Sequence, residues 1–308
     1  MERASTAGRL GGRRRVVVVL GAHRSGTSAL TRVCNLLGMS LGEGLLPRAP
    51  DNETGFWELR EIVDANEAIL KEFGLSHLSH RALPREWHRD PRVAPYRDAL
   101  KERIRREATS HQLFGTKDPR ICRLLPLWRE IFDELNLNPA FVCAIRNPME
   151  VARSLERRNH LPLRHGQRLW LRYNIEMEYY TRGSSRSFVY YPELLRDWRK
   201  QIDAVQETLG LDWPQRNDRR AAEAIERFLR PHLRHHDSDC DDSWRRQVDR
   251  NVRHAFVALR DGGSRRVDAG RLDTVRARVR RRDAVRWLTR LPRNIRRRRA
   301  RRKRKDLG

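Results

Sequence analysis

The chain has 308 residues, 66 of them basic and 40 acidic, for a formal charge of +26, and 38% of it is hydrophobic. That length carries a sizeable core without disulfide staples, and the apolar content stands above the disordered class. The longest apolar run near the start, residues 16–22, falls far short of the roughly 20 residues a membrane-spanning helix needs, so no span is expected.

Residues 1–14, rich in Gly, Ser and Arg, read as a mobile leader, with the body starting at Arg15. The arginines ahead of residues 16–20 resemble the opening of a signal peptide, but the apolar segment is too short and leads into a charged loop. A cytoplasmic protein is expected. Residues 16–20 form a β-branched run closed by a glycine turn, the pattern of a strand buried on both faces of a parallel sheet. Ala29, Leu30, Val33, Leu36 and Leu37 recur at helical spacing, residues 39–56 read as a loop, and a helix is predicted over 58–73. Further short apolar runs at 113–115, 140–145 and 188–191 predict strands. Helical patterns cover 148–158, 168–182, 193–209 and 219–233. Strands alternating with helices define an α/β fold with a central parallel sheet flanked by helices.

From Ser264 the character changes. Residues 264–308 hold 20 basic and 4 acidic side chains, a surplus of 16, with Leu272, Val275, Val279, Leu288 and Leu291 set among arginines and a basic run at 296–305. This predicts a basic amphipathic helix with a polybasic end. The expected division is therefore the leader 1–14, a domain over 15–240 and a basic, partly helical or disordered C-terminal extension over 241–308. Cys34, Cys122, Cys143 and Cys240 show no paired spacing and read as reduced packing residues. His235, His236, Asp237, Asp239, Cys240, Asp241 and Asp242 are dense in metal-ligating types but lack the spacing of a site, and read as an exposed loop.

Two segments carry chemistry. Gly21, Ala22, His23, Arg24, Ser25, Gly26, Thr27 and Ser28 join the first strand to a helix, where backbone amides and the helix dipole cradle an anion. The glycines have P-loop spacing, but Thr27 stands where a Walker loop has its lysine. The positive charge sits instead at Arg24, whose planar guanidinium offers several donors. Further on, Arg146 leaves the strand at 140–145, Pro148 suits a first helical turn, and Ser154 lies two turns along.

With both segments, the chain resembles the sulfotransferase superfamily, which uses 3′-phosphoadenosine 5′-phosphosulfate (PAPS) as donor. GAHRSGTS is similar to the family's 5′-phosphosulfate loop in an arginine form. RNPMEVARS is similar to its 3′-phosphate motif, with Arg and Ser eight residues apart. The likeness extends to bacterial sulfotransferases through GFWE at 55–58, KDPR at 117–120, a W-x-x-Y-N helix at 170–174 and Y-x-x-L-L-x-D-W at 191–198, spanning about 15–236. The resemblance implies a P-loop-like three-layer fold. Arg24 with the amides of Ser25, Gly26, Thr27 and Ser28 would hold the 5′-phosphate and sulfuryl group, and Arg146 with Ser154 the 3′-phosphate. No metal is expected, since sulfuryl transfer does not require one.

On the acceptor side, an acceptor hydroxyl needs a base within reach. Glu58 is the first candidate, as a glutamate beside the pocket, although it could equally complement a helix dipole. The K-T-H-L-P motif of cytosolic sulfotransferases is absent. Lys117 is its nearest counterpart, either touching the transferring group or pairing with Asp118. His23 reads as a packing or hydrogen-bonding residue and Trp170 as core. The acceptor is expected to be a carbohydrate or a lipid-linked sugar, bound among loops such as 74–97. The tail at 271–305 could touch an anionic membrane, with specific nucleic-acid binding not expected. Two rival readings are a nucleotide kinase-like phosphotransferase, opposed by the missing lysine, and a non-enzymatic nucleic-acid or membrane binder driven by the tail.

Overall fold

The computed structural model of the chain describes residues 9–10, 13–49, 55–229, 244–260 and 267–290. Its centre is strand β2 (Arg13–Leu20), with the two-residue β1 (Arg9–Leu10) folded back antiparallel against its start. β3 (Phe114–Lys117), β4 (Leu137–Ile145) and β5 (Arg186–Tyr190) complete a sheet in which four strands run parallel in the order β3-β2-β4-β5. Val18 sits opposite Thr116 on one side and Phe141 on the other.

Strand side chains alternate between faces, so an unbroken run of valines forces a layer onto each side of the sheet. Val16, Val18 and Leu20 enter one core cluster while Val17 and Val19 enter another. The second cluster lies under α1 (Thr27–Leu36), α7 (Tyr191–Arg196), α8 (Trp198–Leu209) and α9 (Arg219–Phe228). The first lies under α2 (Arg60–Glu72), α3 (Ala94–Ser110), α4 (Ile121–Glu134), α5 (Pro148–Asn159) and α6 (Leu163–Tyr180). α10 (Trp244–Gln247), α11 (Arg250–Arg260) and α12 (Ala269–Arg290) add to that same layer. The outcome is the three-layer α/β arrangement that the strand and helix alternation predicts.

Several elements differ from the sequence expectation. The strand expected over 16–20 opens already at Arg13, where Arg13 and Arg14 pair with Leu10 and Arg9 of β1. The helix expected over 193–209 is two helices, broken at Asp197, whose carboxylate accepts from the Lys200 amide at 3.0 Å and caps α8. The helix predicted over 58–73 starts at Arg60, leaving Glu58 two residues ahead of it, outside the helix. α9 ends at Phe228, and residues 230–233 of its predicted span lie outside the described residues, as do the 235–242 cluster with Cys240 and the run 296–305. Cys34, Cys122 and Cys143 are buried free thiols.

The apolar interior also continues past residue 240. Trp244, Val252, Phe256 and Leu259 are buried in the first cluster, joined by Leu272 and Val275 from α12. Burying each such side chain is worth about 1.5–3 kcal/mol. The described part of the tail's apolar stripe therefore faces inward, and ion pairs from Arg172 to Asp283 and from Arg182 to Asp273 at 2.8 Å pin the helix. Among the described residues, no helix is long and apolar enough to cross a membrane.

Candidate active site

Because β2, β3 and β4 are parallel, their carboxyl ends open on one edge of the sheet, where ligands of α/β folds collect. A cavity of about 670 Å³ lies there. Its floor is the loop between β2 and α1. A β-carbon at Gly21 would stand 2.7 Å from the Ala144 carbonyl oxygen, and one at Gly26 would stand 2.1 Å from the Tyr191 ring. Both have positive φ, +152° and +86°, so conformation and space each demand glycine. Gly26 caps α1 without a side-chain hydrogen bond, which leaves the first amides of the helix aimed outward together with its positive dipole end. Gly26, Thr27 and Ser28 line the cavity. Ser25 behaves differently from the expectation. Its amide is spent on the turn, donating to the Ala22 carbonyl at 3.1 Å, while its buried hydroxyl has no protein partner.

Arg24 holds a left-handed backbone at φ 66°, a conformation that costs a side-chain-bearing residue about 1–3 kcal/mol. This geometry turns its side chain across the cavity, where Nε donates to Ser154 Oγ at 2.9 Å. Ser154 comes from α5, and its helix is set by Asn147, whose side chain accepts from the Met149 amide at 2.9 Å, and by Pro148 in the first turn. Arg146, one residue past β4, donates to the Arg24 carbonyl at 3.3 Å and to Glu150 at 2.7 Å. Its guanidinium stands 4.9 Å from the Tyr191 ring centre. The two segments thus converge on one cavity and touch each other.

Trp170 is core, as its sequence context suggests, but it also supports the site. Its indole N–H donates to the Arg146 carbonyl at 3.0 Å. Tyr173 and Asn174 are buried too, the phenol donating to the His77 carbonyl at 2.7 Å and the Asn174 amide to the Trp170 carbonyl at 2.8 Å.

Opposite the loop, Lys117 at the end of β3 donates to three oxygens: Ser28 Oγ at 3.1 Å, the Phe56 carbonyl at 2.9 Å and Glu58 Oε1 at 2.5 Å. Both Lys117 and Glu58 are buried. The Lys117–Asp118 pairing entertained from sequence does not form. Asp118 instead accepts from Arg120 at 2.8 Å and from Asn66 at 2.8 Å, which leaves the Lys117 ammonium for the cavity side. Glu58 is likewise not a first-turn residue complementing a helix dipole. Burial pushes its carboxyl above the usual range and the Asp118 charge adds to this, while Lys117 pulls the other way.

His23 lines the cavity with its ring 5.3 Å from both His77 and Tyr173. Burial, then the charges of His77, Arg120, Lys117 and Arg158, drive its pKa well below the ordinary value, so the imidazole is neutral. The wall also includes Phe56, His77, Leu78, Arg157 and Arg158. Sequence reasoning reached His77 and Leu78 only as part of the loop 74–97 expected at the acceptor, and Phe56 and Tyr191 only as parts of motifs; it gave Arg157 and Arg158 no role.

A model of the sulfotransferase family matches residues 16–215, a span that contains both anion segments, Glu58 and Lys117.

The chain belongs to the sulfotransferase family.

It is a sulfotransferase enzyme, and PAPS dependence is the general property of this family. Membership removes the kinase-like reading that the absent Walker lysine already opposed. Among solved structures, the sulfotransferase domain from the Synechococcus PCC 7002 olefin synthase is 21% identical, covering 76% of this sulfotransferase and 88% of that chain, with a TM-score of 0.42. The sulfotransferase domain from the curacin biosynthetic pathway is 15% identical, covering 65% and 75%, with a TM-score of 0.41. No curated protein matches the chain.

Proposed function

We propose that this sulfotransferase moves a sulfuryl group from PAPS to a hydroxyl of a carbohydrate or glycolipid by in-line displacement in the cavity above β2, β3 and β4. The observation that carries this reading is the 2.9 Å contact between Arg24 and Ser154, which brings the two anion segments within reach of a single nucleotide.

The residues present fit the donor. The glycine cradle at Gly26 and the outward amides of α1 suit a 5′-phosphosulfate. Arg146 and Ser154 suit a 3′-phosphate, the group that separates PAPS from ATP. When bound, PAPS supplies an activated sulfuryl group on a phosphate leaving group. Arg24 and the amides of Gly26, Thr27 and Ser28 would neutralise charge growing on the bridging oxygen. Lys117, tied to Ser28 in the phosphosulfate loop, would stand beside the transferring group with Glu58 holding its ammonium in place.

A sugar acceptor suits a wall in which the hydrogen-bonding groups of His77, Arg157 and Asn159 alternate with the flat face of Phe56, over which Arg158 lies at 5.7 Å. Peripheral contact with an anionic membrane through 271–305 would rest on charge alone over the described helix. Arg271, Arg278, Arg281 and Arg282 are exposed, whereas Leu272 and Val275 are consumed by the core. Such contact would weaken with salt.

The test follows nucleotide products by chromatography. With PAPS and no divalent metal, the enzyme is expected to release adenosine 3′,5′-bisphosphate, and with ATP and Mg²⁺ to release no ADP. The opposite pattern would overturn the assignment.

A further inference from the structure

Glu58 is poorly placed to take a proton, because its carboxylate is already engaged by Lys117 at 2.5 Å. A second candidate lies on the same cavity wall. His77 places Nδ1 3.2 Å from Glu67 Oε2 on α2. A carboxylate can only accept, so Nδ1 carries a proton, and in the neutral ring this tautomer leaves Nε2 with its lone pair. Burial pushes the Glu67 carboxyl up, but hydrogen bonds from His77 and Arg120 hold it down at about 2, so it remains an anion across the working range. This is an imidazole oriented by a half-buried carboxylate, the arrangement that general bases share across unrelated folds.

The segment carrying His77 is pinned rather than loose. Its own carbonyl accepts from Tyr173 at 2.7 Å, the Leu78 carbonyl contacts His165 Nε2 at 2.7 Å, and the Ser79 and Arg81 carbonyls accept from Arg123 at 2.7 and 2.6 Å. The ring also stands 5.3 Å from His23, the residue before Arg24 in the phosphosulfate loop. The groups against the His77 ring are Glu67 from α2, whose carboxylate also accepts from Arg120 at 2.7 Å, and His23 from the loop.

We infer that His77, oriented by Glu67, is the general base that accepts the proton of the acceptor hydroxyl. The inference rests on the sulfotransferase reading above. In the step, the hydroxyl proton passes to His77 Nε2 as its oxygen forms the new bond to sulfur. The bond from sulfur to the phosphate oxygen breaks, and its electron pair leaves with adenosine 3′,5′-bisphosphate. Glu67 is a positioning residue, fixing the tautomer and steadying the imidazolium.

The test uses nucleophiles that differ in their need for a base. Turnover is read as release of adenosine 3′,5′-bisphosphate from PAPS at pH 8, with water or methyl β-D-glucoside as the neutral hydroxyl and 4-nitrophenolate as the ionised one. His77→Gln is expected to slow transfer to the neutral hydroxyls by about 10²–10⁴-fold. Transfer to the phenolate and binding of adenosine 3′,5′-bisphosphate should stay within about threefold of wild type, a margin below the tenfold that 1.4 kcal/mol represents. In His77→Gly, added imidazole should restore part of the neutral-hydroxyl rate. Equal losses on both nucleophile types, or no loss on the neutral ones, would overturn the role of His77 while leaving the donor assignment intact. Failure of the wild type to bind the bisphosphate would instead strike the donor assignment itself.

Discussion

Arg24→Gly is expected to slow sulfuryl transfer by about 10²–10³-fold, the cost of removing one preorganised donor from a developing oxyanion, without weakening the fold. The unusual element is the direction of the stability change. Arg24 sits at φ 66°, where glycine is at ease and a side-chain-bearing residue is not, so the substitution relieves backbone strain of about 1–3 kcal/mol at the same time as it removes the guanidinium. Its hydrogen bond to Ser154 is lost, but Ser154 stands at the cavity wall where water can replace it. Thermal unfolding should therefore give an unchanged or raised Tm for a variant whose turnover has collapsed. A variant that loses rate only in proportion to lost folded protein would mean that Arg24 is structural.

Lys117→Met is expected to abolish turnover and to cost about 3–5 kcal/mol of stability, because it strands the Glu58 carboxylate in a buried site. The loss depends on pH with a definite sign. Glu58 already has its carboxyl raised by burial, and removing the ammonium raises it further, so the folded variant binds a proton more tightly than the unfolded chain does. Such a group favours the folded state at pH below the unfolded carboxyl value, and that contribution is lost as pH rises through the folded value. The stability gap between wild type and variant should thus be wide near pH 8 and narrow on acidification. Adding Glu58→Gln should recover most of the stability of Lys117→Met but none of its activity. A gap that widens toward low pH would contradict the assignment of the Lys117–Glu58 pair.

The parts of the molecule legible in the sequence are those where one local rule decides the outcome. Four consecutive valines closed by a glycine turn can only be an interior strand, and the loop behind them carries its glycines because Ala144 and Tyr191 leave no room for a β-carbon. The Arg146 and Ser154 pair is bland by itself and becomes informative only beside the first loop and through the family resemblance. What stayed hidden depends on tertiary partners. The helix α3 was not delineated because part of its inward face is charged: Arg103 and Glu107 are buried as a pair 2.7 Å apart, which blurs the apolar stripe. The stripe on α12 was visible, but periodicity does not say what covers it, and Leu272 and Val275 are covered by this chain itself. Lys117 could be paired with its neighbour on paper, yet successive residues leaving a strand point apart, and Asp118 turns to Arg120 and Asn66. His77 falls in the loop 74–97 expected at the acceptor, but nothing in the sequence singles it out, since its carboxylate partner Glu67 lies ten residues away on the helix before it.

The central claim is that one nucleotide is held at both ends by segments leaving adjacent strands. Calorimetric titration of the wild type, Arg146→Ala and Ser154→Ala with adenosine 3′,5′-bisphosphate and with adenosine 5′-monophosphate tests it most directly. Charge-assisted hydrogen bonds worth about 1.5–3 kcal/mol predict that the wild type prefers the bisphosphate by roughly tenfold or more. Each substitution should shrink that preference while leaving affinity for the monophosphate near its wild-type value. Equal affinity of the wild type for the two nucleotides, or a preference that survives both substitutions, would contradict it.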